Sequence, residues 1–287
     1  MNKSDLFLLL KQLQIRPKKQ KGQTFLVDNN IRDKILSIAD ITPDDIILEV
    51  GPGLGILTEI LLQKAKQVVA IELEPKFCAY LKEKFKEHRN LTIINGDILE
   101  TPLPYHNKVI SNLPFSATGP ILEKLFFKPN APQGTIMLEK KLAERILNKG
   151  DYKTFSRLTV SVNTFMIPES SFTVSPNSFY PKPRIEISIL KMNPRDIIDP
   201  FLTSGEKKAF FLDFIAGIMP YKNKNIANSI PLDFANKDES TLDKDAILTL
   251  LAQFNFNNDK VSAFEISELL DIAKILNEKF VDSGGIN

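Results

Sequence analysis

Residues 111-SNLPFSATGP-120 set a side-chain amide, a proline and an aromatic ring side by side, directly after the apolar pair Val109–Ile110. Asn112 offers an amide oxygen as an acceptor. Pro114 fixes the local backbone and has no N–H to donate, so the carbonyls around Leu113–Pro114 are left to accept. Phe115 offers a flat ring. A planar base with an exocyclic amine fits this set. The ring stacks it, the amine donates to Asn112 and to a backbone carbonyl, and the nitrogen lone pair stays localised and aimed at an electrophilic carbon. Stacking on one aromatic ring is worth about 1–3 kcal/mol, comparable to the few kcal/mol needed to extrude a base. The plainer alternative is a strand-to-helix corner, with Ser116 or Thr118 as a cap, Pro120 in the first helical turn and Phe115 in the core.

A second constellation lies upstream, in 49-EVGPGLGILTEIL-61. Glycines at 51, 53 and 55 let the backbone turn sharply and approach a ligand. A dinucleotide fingerprint is G-x-G-x-x-G. Here the third glycine comes one residue early, giving E-x-G-x-G-x-G, a form typical of S-adenosylmethionine (SAM) enzymes. Glu72 ends the apolar run in 69-VAIELE-74, where a carboxylate takes both ribose hydroxyls of an adenosine ligand. Asp97, in 95-NGDIL-99, is placed to accept from an adenine amine while its neighbour's N–H meets a ring nitrogen. Each acid alone also reads as a solvated strand end or a turn. All three features, however, follow consecutive strands at their carboxyl ends, where open α/β sheets bind ligands. The electrophilic carbon is then the methyl of the SAM sulfonium.

The elements that must carry these groups are legible as alternating patterns from about 27 to 190. They are helix 28–39 with Asp28 as cap, strand 45–50, helix 56–65, strand 67–72, helix 75–87 opening on Pro75, strands 91–94 and 108–111, helix 119–127 and strand 133–138. Strands separated by helices imply parallel βαβ units with helices on both faces. The runs 159–165 and 185–191 read as strands closing the sheet, joined by a Pro-, Ser- and Phe-rich segment, 168–183. A short amphipathic helix, 4–14, precedes them all. Around 192–204 the texture changes, and only helical patterns follow, at 205–219, 222–230, 243–253 and 262–280. The expected fold is therefore α/β: a Rossmann-like SAM-dependent methyltransferase sheet over residues 1–195, with a basic N-terminal segment, plus a small all-helical C-terminal domain over 196–287.

Composition removes other chemistries. The 287 residues are 43% hydrophobic and carry a net charge of only +2, so a full core is affordable and overall charge says little about partners. The single cysteine, Cys78, rules out an intrachain disulfide and a Cys-rich metal cluster, and His88 and His106 lack ligand-like spacing. Methylating cytosine C5 needs a thiolate, and Cys78 falls in a predicted helix away from the Asn-Leu-Pro-Phe corner. Methyl transfer to an amine needs only placement and an acceptor for the departing proton. The apolar run 6-LFLLL-10 is too short to span a bilayer. A cytoplasmic monomer with no membrane partner and no metal is expected.

The sequence resembles the small-subunit rRNA adenine N6,N6-dimethyltransferases, the kasugamycin-resistance methyltransferase of bacteria with its archaeal and eukaryotic counterparts. The likeness runs through 16-RPKKQKGQTFLVD-28, 49-EVGPGLG-55, 71-IELE-74, 96-GDIL-99, 112-NLPF-115, 137-MLEKKLAERI-146 and 178-SFYPKPRIEIS-188 to the helical tail. The resemblance implies a cofactor pocket of Gln23, Thr24 and Leu26 folded over SAM, completed by Gly51, Gly53, Glu72, Leu73, Asp97, Ile98 and Asn112. It implies that Asn112, Leu113, Pro114 and Phe115 hold and stack the target base. Phe179, in the Phe-x-Pro-x-Pro segment with Pro181 and Pro183, would be a second ring, and Lys140 and Arg145 would bind substrate. Two departures stand out. Thr24 replaces the usual Asn, and 139-EKK-141 replaces the usual Gln-Lys-Glu.

The implied reaction puts two methyls on each of two adjacent adenosines in a hairpin near the 3′ end of small-subunit rRNA. The partner is that rRNA or the pre-small ribosomal subunit, with a role in subunit biogenesis. Residues 1–22 carry six basic side chains against Asp5, and 140–157 and 221-YKNKNIANSI-230 add further cations for phosphate. Rival readings are a ribosome-assembly factor whose binding outweighs catalysis, an adenine methyltransferase acting on large-subunit rRNA or DNA, and a small-molecule methyltransferase.

Overall fold

The structure is a computed structural model and describes residues 3–17, 24–147, 155–236 and 243–281. The chain divides into two compact units, one of Met1–Leu147 with Met166–Pro194, the other of Asn148–Phe165 with Arg195–Asn287. The second unit's longer segment thus begins at Arg195, but the unit also takes in Asn148–Phe165, which the sequence reading places in the first domain.

In chain order the first unit holds α1 (Lys3–Gln12), β1 (Phe25–Leu26), α2 (Asn29–Ala39), β2 (Ile46–Val50), α3 (Thr58–Lys64), β3 (Gln67–Glu72), α4 (Pro75–Lys84), β4 (Leu91–Asn95), β5 (Lys108–Asn112), α5 (Thr118–Phe126), β6 (Gln133–Glu139) and α6 (Lys140–Leu147). After α7 (Arg157–Phe165), which belongs to the second unit, come β7 (Met166–Val174), β8 (Phe179–Tyr180) and β9 (Ile187–Pro194). Seven strands form one sheet in the order β4-β3-β2-β5-β6-β9-β7. The pairs β2–β3, β3–β4, β2–β5 and β5–β6 are parallel, and β9 runs antiparallel to β6 and β7. Strands β1 and β8 form a separate antiparallel pair. The central strands are buried on both faces and read as apolar runs such as 46-IILEV-50, as parallel strands covered by helices must.

One expected element is wrong. Residues 159–165 form the end of helix α7, not a strand. The sequence 157-RLTVSVNTF-165 alternates apolar and polar residues, but Thr159 through Phe165 are all buried, so the helix shows no polar face for a 3.6-residue period to mark. Two of its polar side chains bond back within the helix: Asn163 Nδ2 donates to the Thr159 carbonyl at 2.8 Å and Thr164 Oγ1 to that of Val160 at 2.9 Å. The strand instead runs from Met166 to Val174, into the segment 168–183 expected to be a connection. It lies at the sheet edge with an irregularity between Pro168 and Ser170, where a proline is tolerated.

A polar knot around the buried Asp45 fixes the amino ends of β2 and β5. Lys108 Nζ pairs with Asp45 Oδ2 at 2.8 Å, and Asn107 Nδ2 donates to Asp45 Oδ1 at 2.7 Å. Asn107 Oδ1 accepts the Ile46 N–H, also at 2.7 Å. Burial pushes the Asp45 carboxyl up, but Lys108, the Thr42 N–H and Asn107 outweigh it and hold the group below its ordinary value. With the amino ends locked, the carboxyl ends of β2 and β5 are held side by side, and the residues that follow them share one rim.

The second unit continues with α8 (Gly205–Ile218), α9 (Ile226–Asn236), α10 (Lys244–Gln253) and α11 (Ile266–Leu276). Among the described residues no helix is long and apolar enough to cross a membrane, and no group of three or more His, Cys, Asp or Glu side chains could hold a metal ion.

Candidate active site

A cavity of about 360 Å³ opens at the carboxyl ends of β2, β3 and β5. Its walls come from the loop Gly51–Leu54, from Glu72–Leu73, from Gly96–Leu99, and from Asn112, Pro114, Ser116 and Ala117. Thr24, Phe25 and Leu26 form a further wall.

The loop has its shape because of glycine. Gly51 and Gly55 have φ of +63° and +75°, a region that L side chains enter at a cost of roughly 1–2 kcal/mol. A Cβ on Gly55 would lie 2.7 Å from Leu81 and Phe85 of the α4 segment, so this glycine seats the loop on the core. A Cβ on Gly51 would meet nothing within 4 Å. Gly51 borders the cavity, so the space beside it is space for a ligand.

Glu72 closes the end of β3. Its Oε2 accepts the Gly53 N–H at 3.0 Å and its Oε1 accepts the Glu74 N–H at 2.8 Å. Burial pushes its pKa up, and these backbone donors pull the other way. Asp97 Oδ1 accepts the Leu99 N–H at 2.8 Å, so the turn foreseen for this residue is present at the cavity wall. Leu73 is 59% exposed yet borders the cavity, while Ile98 is buried in its wall.

Strands β1 and β8 pin the Thr24–Leu26 wall. Leu26 pairs with Phe179 and Phe25 with Tyr180. Asp28 strengthens the pin: its Oδ1 caps α2 by accepting from Asn30 N–H, and its Oδ2 accepts from Ser178 Oγ at 2.9 Å. Leu6 and Leu10 of α1 pack behind Phe25, Leu54 and Phe77, three residues that line the cavity. Gln23, expected beside Thr24, lies outside the described residues, as do Lys18, Lys19, Lys21, Lys149 and Lys153.

At the β5 corner, Asn112 Nδ2 donates to the Thr24 carbonyl at 3.1 Å. Among the described residues Asn112 Oδ1 is buried without a hydrogen-bond partner, and so is Thr24 Oγ1, in the same cavity wall. Leaving a buried acceptor unmet costs about 1–3 kcal/mol, and such atoms mark where a ligand donor belongs. The Pro114 carbonyl is already engaged, by the Ala117 N–H at 3.1 Å and by Thr118 Oγ1 at 3.3 Å. Leu113 donates its N–H to the Met137 carbonyl at 3.2 Å and buries its side chain. Phe115 is half-buried against the core and lies outside the cavity lining.

Phe179, expected as a second stacking ring, is a core side chain, 1% exposed. The β1–β8 register turns it inward, and its neighbour Tyr180 packs beside Phe25 and Phe77 instead. Lys140 pairs with Glu186 at 3.1 Å, and Arg145 is exposed on α6.

Sequence reasoning passed over Glu49. It is 2% exposed, borders the cavity, and accepts from Thr58 Oγ1 at 2.7 Å. Burial is the main cause that lifts its pKa to about 8, with Glu72 adding repulsion. The signal was available: a lone acid inside the apolar strand 46-IILEV-50. Among the described residues Glu49, Glu72 and Asp97 are the ionisable side chains that line the cavity, and all are acids. The arrangement suits a cationic ligand with donor hydroxyls, next to an unmet acceptor, Asn112 Oδ1.

Known proteins bear on this geometry. A sequence profile of the family described as ribosomal RNA adenine dimethylase matches residues 15–278. A relative from Methanococcoides burtonii, named "Probable ribosomal RNA small subunit methyltransferase A", is 33% identical over 256 residues, spanning 88% of this chain and 91% of its own. The crystal structure of a dimethyladenosine transferase from Plasmodium falciparum aligns with a TM-score of 0.73 at 25% identity, covering 89% of this chain and 98% of that one. The 23S rRNA methyltransferase ErmE aligns with a TM-score of 0.62 at 24% identity over 88% of this chain and 99% of its own, a likeness of fold. With a profile match from residue 15 to residue 278 around a SAM-type loop and an Asn-Leu-Pro-Phe corner, the chain belongs to the ribosomal RNA adenine dimethylase family.

Proposed function

We propose that this protein dimethylates the exocyclic amines of two adjacent adenosines in a hairpin near the 3′ end of small-subunit rRNA, with SAM as methyl donor, and that it serves small-subunit biogenesis. The observation that carries the reading is the orphaned Asn112 Oδ1, held at the cavity wall by the bond from its own Nδ2 to Thr24.

SAM fits the residues present. An all-acidic lining suits its net positive charge, Glu72 and Asp97 suit its ribose and adenine, and Gly51 leaves the backbone bare beside it. When bound, it supplies a methyl group on a positively charged sulfur. The protein's residues do the rest by placement. Asn112 Oδ1 accepts one N–H of the target amine. Because the Pro114 carbonyl is already taken, the backbone acceptor for the second N–H is the carbonyl of Leu113. With both N–H bonds fixed, the nitrogen lone pair is the remaining valence and faces the cavity. Phe115 stacks the base from the outer side of the same corner, where about 1–3 kcal/mol offsets extrusion. Thr24 Oγ1, where the family resemblance implies an amide, supplies a smaller polar contact in the cofactor wall.

Lys140, Arg145 and neighbouring cations would hold phosphates, making RNA binding salt-sensitive. The protein acts as a monomer in the cytoplasm, where it meets its ribosomal substrate. The deciding experiment incubates small-subunit particles and large-subunit rRNA with the protein and labelled SAM, then maps the label by mass. Dimethyladenosine at adjacent positions near the small-subunit 3′ end is expected. Label confined to large-subunit rRNA would overturn the assignment.

A further inference from the structure

Three acids line the cavity, and they are not solvated alike. Glu72 takes two backbone N–H donors and Asp97 takes one. At Glu72 these bonds oppose the upward push of burial. Glu49 has the Thr58 hydroxyl at 2.7 Å instead, and it is the most deeply enclosed of the three. Its surroundings add little positive charge. From β3 comes Glu72, another acid, and from α3 the Thr58 hydroxyl. From α4 comes Lys84, but its Nζ is committed to Glu59 at 2.9 Å and lies 3.4 Å from the Leu54 carbonyl. At this end β5 contributes the Asn112 amide, which is neutral. A carboxyl so placed keeps its proton at neutral pH, and burial lifts its pKa to about 8.

We propose that Glu49 is held as the neutral acid in the free protein and gives up its proton to solvent when the cationic cofactor binds, so that cofactor affinity is linked to deprotonation of this one residue. The inference rests on the reading that the cavity takes SAM. The cofactor brings the positive charge that the walls lack. The O–H bond of the Glu49 carboxyl breaks, the proton passes to water, and the carboxylate that remains, buried in the cavity wall, faces the cation where the attraction is stronger than in bulk water. Glu49 thereby becomes a specificity-determining residue. A neutral adenosine compound of the same shape would leave the acid protonated and gain no ionic partner.

The test is calorimetry of SAM binding to the full chain at pH 7 in phosphate and in Tris, buffers with different ionisation enthalpies. Wild type should give different apparent heats in the two buffers, reporting proton release. Its affinity should rise with pH between 6 and 8, by up to about tenfold per unit for one proton. Glu49→Gln should remove that release and flatten the rise, relative to wild type titrated with the same ligand. Thr58→Val removes the hydroxyl that favours the carboxylate, so it should move the midpoint of the rise to higher pH. Equal proton release in wild type and Glu49→Gln would overturn the proposal while leaving SAM binding intact. No SAM binding by wild type would overturn the cofactor reading itself, which is a different result.

Discussion

Asn112 and Thr24, 88 positions apart, are joined by a hydrogen bond from the Asn112 side-chain amide to the Thr24 carbonyl. The bond does two things at once. It fixes which end of the amide is nitrogen, and so aims Oδ1 at the cavity as an acceptor. It also ties the N-terminal wall of the cavity to the corner at the end of β5. On the function proposed above, cofactor wall and target acceptor share one residue, and cofactor placement and base placement are coupled through it.

The coupling separates two substitutions at Asn112. Asn112→Ala removes both the acceptor and the tie. Methyl transfer in single-turnover assays should fall by about 10²–10³-fold, the scale for removing one preorganised polar group, and SAM affinity should fall as well. Asn112→Asp keeps an acceptor but has no N–H for Thr24, and it sets a carboxylate against the Thr24 carbonyl. It should weaken SAM binding while keeping more methyl transfer at saturating SAM than Asn112→Ala. Equal losses in both variants on both measurements would show that the tie is irrelevant.

Phe115 lies beside the cavity but not in its lining. Phe115→Ala should therefore leave SAM affinity within twofold of wild type by calorimetry. Turnover on small-subunit particles should drop by about 5- to 150-fold, the equivalent of 1–3 kcal/mol of lost stacking. A large fall in SAM affinity with normal turnover at saturation would place the ring on the cofactor instead.

The sequence carried the sheet and the cofactor loop well, because long buried strands and a glycine-rich turn leave strong local patterns. Asp28, Glu72, Asp97 and Asn112 stand at the strand and helix ends where the patterns put them. What it hid is tertiary. Two-residue strands such as β1 and β8 have no periodicity, so nothing in the residues showed that Leu26 would pair with Phe179 and turn that ring into the core. Helix α7 alternates like a strand because burial on all sides removes the polar face that would betray a helix. Glu49 was visible as a misfit in an apolar strand, but its protonation depends on what surrounds it, and that exists only in the fold.

Two buried carboxyls should shape stability against pH in opposite directions. Glu49 titrates near 4.5 unfolded and near 8 folded. Between these values the folded protein holds a proton that the unfolded chain has lost. The contribution is complete below pH 4.5 and is lost as pH rises through about 8. Glu72 shifts in the same direction. Asp45 is the reverse: its folded carboxyl lies below the ordinary 3.8, so its contribution is present above 3.8 and lost as pH falls through the folded value. Denaturant midpoints of the free protein should decline from pH 5 to pH 9, and Glu49→Gln should flatten that decline. Asp45→Asn should lower stability at neutral pH by about 1–3 kcal/mol, because it removes the ion pair and leaves the part-buried Lys108 ammonium with only the Ala39 and Asp40 carbonyls as acceptors. A decline unchanged in Glu49→Gln would assign the alkaline limb to another group.

The two outer glycines of the loop, alike in backbone conformation, should fail in different ways. At Gly55 a methyl would sit 2.7 Å from the side chains of Leu81 and Phe85, both buried, so the packing there would have to shift. Gly55→Ala should destabilise the free protein by about 2–5 kcal/mol, combining overpacking with left-handed backbone strain. At Gly51 the methyl meets no protein atom within 4 Å, so Gly51→Ala costs the free protein only the backbone strain, roughly 1–2 kcal/mol. Its methyl occupies space that a ligand needs. Thermal melting with and without SAM separates the two. Gly55→Ala should melt well below wild type yet keep a SAM-induced rise, since what survives folded has the same cavity. Gly51→Ala should melt close to wild type and lose most of that rise. The opposite pattern would mean that the ligand approaches the loop at Gly55 and that Gly51 is the packing glycine.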